Sequence, residues 1–147
     1  MRVDSVKGNY HYAFSMWTDT APFNNNDVRM ALKLGINRQE LIDKILSGYG
    51  SLGNDHPIGA AYPEHSNAIE QRVYDPDRAL WHLRQAGLSS LDVRVSAADA
   101  AFPGSVDAAT LYSASSKKAG INLQVVREAN DGYWSSVWLK KPFVSVF

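Results

Sequence analysis

Residues 22–50, PFNNNDVRMALKLGINRQELIDKILSGYG, constrain the fold of this chain more than any other stretch. They read as an irregular entry, two consecutive helices and a glycine-rich exit. Val28, Ala31 and Leu32 recur at the i, i+3, i+4 spacing that places apolar side chains on one helix face. Gly35 is the expected left-handed stop of this first helix. Asn37 stands where a second N-cap belongs, with Glu40 three residues on, a capping-box arrangement with Asn in place of Ser or Thr. Leu41, Ile42, Ile45 and Leu46 form the expected buried stripe of the second helix. Glu40 and Lys44 are spaced for an i, i+4 ion pair on its wet side.

Beyond residue 73 the pattern becomes that of an α/β chain. Asp75-Pro76 opens a helix with an acidic cap and Pro at its first position, with Ala79, Leu80 and Leu83 facing inward. Gly87 is its expected terminator, with Leu88 returning to Leu83 in a Schellman arrangement. Leu91, Val93 and Val95 alternate as one face of a strand over 91–96. Residues 105–119 form a helix rich in small residues, Gly120 stops it, and 121–126 is a second strand. Strand, helix, strand is a βαβ unit, so the two strands should be parallel with a right-handed crossover. Residues 130–140 read as a short helix carrying Tyr133, Trp134 and Trp138, and 142–147 as a last strand. Near the N-terminus, Asn9 to Trp17 is strand-like, with Tyr10, Tyr12, Phe14 and Met16 on one face. Residues 51–73 carry scattered Gly, Pro, Asn and His with no period, and irregular excursions of that length are usually functional or wrapped over a surface.

Composition removes several function classes. Fifteen basic and fifteen acidic residues cancel, which leaves no electrostatic case for nucleic acid or an anionic membrane. No apolar run approaches the roughly 20 residues that cross a bilayer. The opening Met1-Arg2-Val3-Asp4 is polar and does not read as a signal peptide. Without cysteine there is no disulfide framework, thiolate metal site or thiol nucleophile. At 147 residues and 45% hydrophobic content the chain is one domain with a real core.

Chemistry-bearing motifs fail on context. Gly48-Tyr49-Gly50-Ser51-Leu52-Gly53 fits the spacing of a dinucleotide fingerprint, yet it follows a helix and leads into Asn54-Asp55-His56-Pro57. A helix end plus a turn explains each of its glycines, so no cofactor is expected. His11, His56, His65 and His82 lie in no metal-ligating spacing. No Gly-x-Ser-x-Gly elbow occurs, so no catalytic residue is assigned. The three aromatics after Asn130 read as core or interface packing rather than a ligand platform.

Several of these segments together resemble one family. Pro22-Phe23, Asp27-Val28-Arg29-x-Ala31-Leu32, Ile36-Asn37-Arg38 and the Ile-Leu-x-Gly-x-Gly ending stand in ordered spacing, with Asn37 where the family usually has Asp. Tyr74, Asp75, Pro76, Ala79, Leu83, Ala86 and Gly87 match a second helix signature, and Lys-Lys-Ala-Gly-Ile before a valine-rich strand a third. The pattern resembles the bacterial extracellular solute-binding proteins of the oligopeptide, dipeptide and nickel type. The resemblance implies a periplasmic-binding-protein-like α/β lobe, with a mixed, largely parallel sheet flanked by helices. It implies that residues 1–147 are the second lobe of a two-lobed clamp, with Met1 an artificial start and the signal peptide, first lobe and C-terminal segment lying outside these residues. In that family Arg29 belongs to a structural signature, where a bridging ion pair is expected.

The function implied is non-covalent capture of an oligopeptide or similar small solute in the periplasm, for the membrane permease of an ABC importer. A lobe binding an opine, an oligosaccharide or a metal chelate stays open, as does an enzyme without a recognisable motif. Open α/β sheets bind ligands at strand ends. That points to Trp17 and Thr18 after the first strand, and to Ala98, Asp99 and Phe102 after the strand at 91–96. With its partner lobe missing, such a chain would expose Trp17 and Phe102 on its inner face, and self-association is the further partner expected.

Overall fold

The computed structural model describes residues 4, 8, 10–60 and 62–147. Asn9, the first residue of the expected N-terminal strand, lies outside them. The elements in chain order are β1 (Ala13–Met16), α1 (Asn26–Gly35), α2 (Arg38–Ile45), α3 (Pro76–Gln85), β2 (Leu91–Ala97), α4 (Ser105–Ser116), β3 (Ile121–Arg127), α5 (Tyr133–Ser136) and β4 (Phe143–Val146). A 3₁₀ turn over Lys117–Ala119 extends α4, and Gly120 ends it in the left-handed region (φ 74°). The four strands form one mixed sheet in the order β1-β4-β2-β3. β2 runs parallel to β3 in register Leu91↔Ile121 through Ala97↔Arg127, as the βαβ spacing predicts. β4 is parallel to β2, whereas β1 is antiparallel to β4.

The burial of β2 explains its sequence. Leu91, Val93 and Val95 face the helices, while Asp92 and Arg94 face water and pair across the sheet with Asn122 (2.6 Å) and Gln124 (3.2 Å). The alternation stops at Ser96 because α5 covers the second face there, and Ser96 is buried. The main core joins these strand residues to Val28, Ala31 and Leu32 of α1, Ala79 and Leu83 of α3, and Ala109 and Tyr112 of α4.

α1 is closed by its neighbours rather than by its own glycine. Gly35 is not left-handed, and the chain passes through Ile36 in extended conformation (φ −91°, ψ 126°). What Gly35 supplies is room, since a Cβ there would lie 3.3 Å from Ile121 Cδ1 and 3.6 Å from Ser116 Cβ. The last four carbonyls of α1 each accept a hydrogen bond from elsewhere in the chain. Tyr112 OH donates to Leu32 (2.8 Å), Arg38 Nη1 to Lys33 (2.8 Å), the Asp75 N–H to Leu34 (3.0 Å) and Ser115 Oγ to Gly35 (3.0 Å). Among the described residues Arg29 forms no ion pair; its guanidinium donates to the Phe23 carbonyl (2.6 Å) and to Asn26 Oδ1 (3.1 Å), holding the entry segment against α1. At the other end of α1, Asn25 Oδ1 caps Asp27 N–H (2.8 Å), and Asp27 in turn holds His82 Nδ1 of α3 at 2.7 Å.

Other expectations are met or corrected one by one. Asn37 caps α2 through Glu40 N–H (3.2 Å), but Glu40 does not reciprocate. It turns outward to Lys44 (2.5 Å), and the Asn37 N–H goes to Ser115 Oγ (3.4 Å). Only Ile42 of α2 is fully buried; Leu41, Ile45 and Leu46 are half-buried because α2 lies at the rim of the core. α3 ends in the expected Schellman motif, with Leu88 N–H on Leu83 O (2.9 Å), Gly87 N–H on Arg84 O (3.0 Å) and Gly87 at φ 78°. Residues 51–73 are irregular, and their neck is clamped. Asp55 bridges Arg38 and Arg72 (both 3.0 Å), and Asn54 accepts from Arg72 N–H (2.8 Å) while donating to the Ile69 and Glu70 carbonyls.

The N-terminal strand is shorter than its aromatic alternation suggests. Ala13 pairs with Val146, so this register offers Tyr12 only Phe147 and leaves Tyr10 and His11 unpaired within these residues. The expected helix over 130–140 shrinks to Tyr133–Ser136, since Leu139 takes a left-handed conformation (φ 54°) that turns the chain toward β4.

Leu32→Ala, at a fully buried position, should cost about 2–5 kcal/mol of folding stability. Leu41→Ala or Ile45→Ala, at half-buried positions, should cost about 1–2 kcal/mol. Urea denaturation of the three variants checks this ordering, and equal losses would mean that α2 packs as deeply as α1.

Candidate functional site

β2 delivers the chain to a tight loop, residues 98–104, that opens α4. The loop closes on itself through Ala101 N–H to Ala98 O (2.9 Å) and Ser105 N–H to Phe102 O (3.0 Å). Asp99 Oδ1 accepts from Val106 N–H in the first turn of α4 (3.4 Å), and Ala100 N–H donates to Asn130 Oδ1 across the gap to the β3–α5 loop (2.9 Å). Gly104 adopts φ 78°, and a Cβ there would meet Ile45 Cγ2 at 3.0 Å, so the loop turns where only glycine fits easily.

Beneath the loop lies a buried polar chain. Ser105 Oγ donates to Ser145 Oγ (2.8 Å), and Tyr133 OH donates to Ser145 O (2.7 Å). Burial pushes the Tyr133 phenol up, which keeps it a neutral donor. Ser105, Ser145 and Tyr133 are all solvent-inaccessible, and this chain contains hydroxyls and carbonyls but no base. Its role is to hold β4, α4 and α5 together under the rim. Glu128, just past β3, receives Lys141 Nζ (2.5 Å) and so ties the β3–α5 loop to the approach to β4. Burial alone would raise the Glu128 carboxyl, but hydrogen bonds from Lys141 and Ser96 and the charge of Lys141 bring it below the usual carboxylate range.

The rim itself is aromatic. Tyr12 stacks on Phe102 (centroids 4.3 Å apart, planes at 10°), Tyr10 lies against Phe147 (5.9 Å), and Trp134 meets Phe147 edge-on (5.4 Å). Tyr10, Tyr12, Trp134 and Phe147 are exposed, a concentration of apolar surface at the end of the sheet where β2 and β4 finish. A hollow of about 330 Å³ opens among Tyr10, Tyr12, Phe102, Pro103, Phe147 and Asp99. That volume is at the small end of ligand pockets, which begin near about 300 Å³.

The five residues expected at the cleft do not meet. Asp99 and Phe102 line the hollow, whereas Ala98 is buried in the core and is not part of its lining. Trp17 and Thr18 sit away from the hollow, because β1 is antiparallel to β4 and its C-terminal end lies beside the N-terminal end of β4, level with Val95 of β2. Trp17 donates its N–H to Pro142 O there (2.8 Å). Phe102 is not unsheltered but 4% exposed, covered by Tyr12. Beside Asp99 and Phe102 stand residues that the sequence gives no local reason to place there: Tyr10 and Tyr12, just before β1 rather than after it, with Trp134 and Phe147. Among the described residues no cluster of His, Asp and Glu could hold a metal ion.

The sequence profile described as bacterial extracellular solute-binding proteins, family 5 Middle, matches residues 1–145. The chain belongs to that family. The di/tripeptide-binding protein 1 of Pseudomonas aeruginosa (strain UCBPP-PA14) is 34% identical over 70 residues, covering 46% of this chain and 12% of the relative. Among solved structures, the ABC transporter-associated periplasmic binding protein DppA of Helicobacter pylori, in complex with the peptide STSA, superposes with a TM-score of 0.81 at 22% identity. That match covers 92% of this chain and 26% of DppA. NikZ of Campylobacter jejuni, in complex with Ni(L-His), gives 0.77 at 19% identity, covering 95% of this chain and 30% of NikZ. The chain thus spans less than a third of the length of each of these proteins. The expected mixed α/β lobe architecture holds across them, whatever each one binds.

The Glu128 carboxyl sets an acid dependence with a definite sign. Its folded-state pKa is depressed, so its contribution is complete above the unfolded value and is lost as pH falls through the folded one. The stability gap between the native protein and Glu128→Gln should therefore shrink from about pH 6 to about pH 3. Thermal melts at several pH values check this, and a gap that widens in acid would contradict it.

Proposed function

We propose that residues 1–147 form one lobe of an extracytoplasmic solute-binding protein, which captures an oligopeptide or similar small solute by closing against a second lobe. The captured solute is passed to the membrane permease of an ABC importer, and no covalent step takes place. The observation that carries this reading is the aromatic rim, where β2 and β4 end and β1 begins. Four exposed rings and a shallow hollow form one wall of a site rather than an enclosed pocket. Family membership and the peptide-binding relatives support the same choice of ligand. Such a wall satisfies a peptide poorly by itself, since most of the ligand stays wet and forgoes apolar burial worth about 25 cal/mol per Å².

The isolated 147-residue chain should accordingly bind a mixed library of di- to pentapeptides weakly or not at all by calorimetry. The intact two-lobed protein should bind the same library in the micromolar range or tighter, about −8 kcal/mol or more favourable. Binding to the isolated monomer tighter than about 1 μM would place a complete site within these residues and overturn the half-clamp reading.

A further inference from the structure

What the hollow at the rim accepts follows from the chemistry of its lining, on the reading that this rim is a ligand wall. One face of the Tyr12 ring is taken by Phe102, and the ring, still 44% exposed, lines the hollow. Tyr10 and Phe147 close a second side. Ring faces carry the negative part of an aromatic quadrupole and attract cations. Among the described residues Asp99 is the one acidic side chain in the same wall, and no Lys or Arg lines the hollow. The N-terminus of α4 occupies only one carboxylate oxygen, through the 3.4 Å bond from Val106 N–H to Oδ1. Oδ2 has no protein partner among the described residues.

Three kinds of occupant can be compared. An apolar group would fit the rings but would strip water from Asp99 Oδ2 without replacing the hydrogen bond. An anion would meet both the carboxylate and the negative ring faces. A basic group supplies the missing donor, keeps the charge balanced and lays its aliphatic or planar stem on the rings. We propose that the hollow is a subsite for a basic group of the ligand, an ammonium or guanidinium held by Asp99 and flanked by Tyr10, Tyr12 and Phe147. The same chemistry could come from a Lys or Arg side chain within a peptide or from a free alkylammonium ion.

The test uses the intact protein and calorimetry with Ala-Lys-Ala, Ala-norleucine-Ala and Ala-Glu-Ala, which share their termini, together with free n-butylammonium. The lysine peptide should bind about tenfold tighter than the norleucine peptide. The glutamate peptide should be weakest, and the lysine preference should decline as salt is raised. Asp99→Asn keeps an oxygen for Val106 N–H, so circular dichroism should be unchanged while the lysine-to-norleucine ratio falls toward one. Asp107→Asn, which removes a carboxylate that does not line the hollow, should leave the ratio intact. Equal affinity for all three peptides, or a ratio untouched by Asp99→Asn, overturns the basic subsite and leaves peptide capture standing. Binding of n-butylammonium alone, lost in Asp99→Asn, keeps the subsite and removes peptides as its source. Binding of none of the four overturns both.

Discussion

Everything in this lobe depends on how the C-terminal end of α1 is closed. A helix ends with carbonyls that have no partner of their own, and leaving one buried and unmet costs about 1–3 kcal/mol. Here the carbonyls of Leu32, Lys33, Leu34 and Gly35 are met by Tyr112 and Ser115 of α4, Arg38 of α2 and the backbone of Asp75 at the start of α3. One helix end therefore fixes three other helices. α4 lies between β2 and β3 in the chain, so the βαβ unit is set by the same contacts. The absence of a Cβ at Gly35 lets α1 approach Ile121 and Ser116 closely enough for these bonds to form.

From that anchor the rim follows by connectivity. α4 placed against α1 fixes the loop 98–104, and the buried Ser105–Ser145–Tyr133 chain fixes β4 and α5 under it. β1 then joins β4 antiparallel, which brings the residues before β1 to the end of the sheet where β2 and β4 finish. That reversal puts Tyr12 on Phe102 and Tyr10 on Phe147. The contact face is thus made from both ends of the chain and from its middle, with no two of its segments adjacent in sequence.

Local signals carried most of the architecture. Asn37, Asp75, Gly87 and Gly120 each act at the helix end where their chemistry places them, because caps and left-handed turns are decided within a few residues. The parallel β2–β3 pair was equally legible, since a helix of this length between two strands leaves little choice. The role of Gly35 is hidden from the local run Leu34-Gly35-Ile36, because a close approach to α4 and β3 is a tertiary fact. Glu40 was misassigned for a similar reason, as Ser115 lies 78 residues from Asn37 and takes the donor that a capping box would claim. The rim is the least local part of the structure. Asp99 and Phe102, which the rule that strand ends bind ligands points to, do lie at the rim, but the direction of β1 depends on a pairing more than 120 residues away. Trp17 and Thr18 therefore lie apart from Asp99 and Phe102, while Tyr10, Tyr12, Trp134 and Phe147 gather beside them.

The most direct test of this account is a double-mutant cycle at the end of α1. Tyr112→Phe removes a hydroxyl while keeping the ring in the core, and Ser115→Ala removes the donor to Gly35 and the acceptor for Asn37. Each single variant should lose about 1–3 kcal/mol of stability in chemical denaturation, the cost of a buried carbonyl left without its partner. The double variant should lose at least the larger of the two. A loss below about 0.5 kcal/mol in both single variants, the range of ordinary surface substitutions, would contradict the claim that α1's end holds the lobe together.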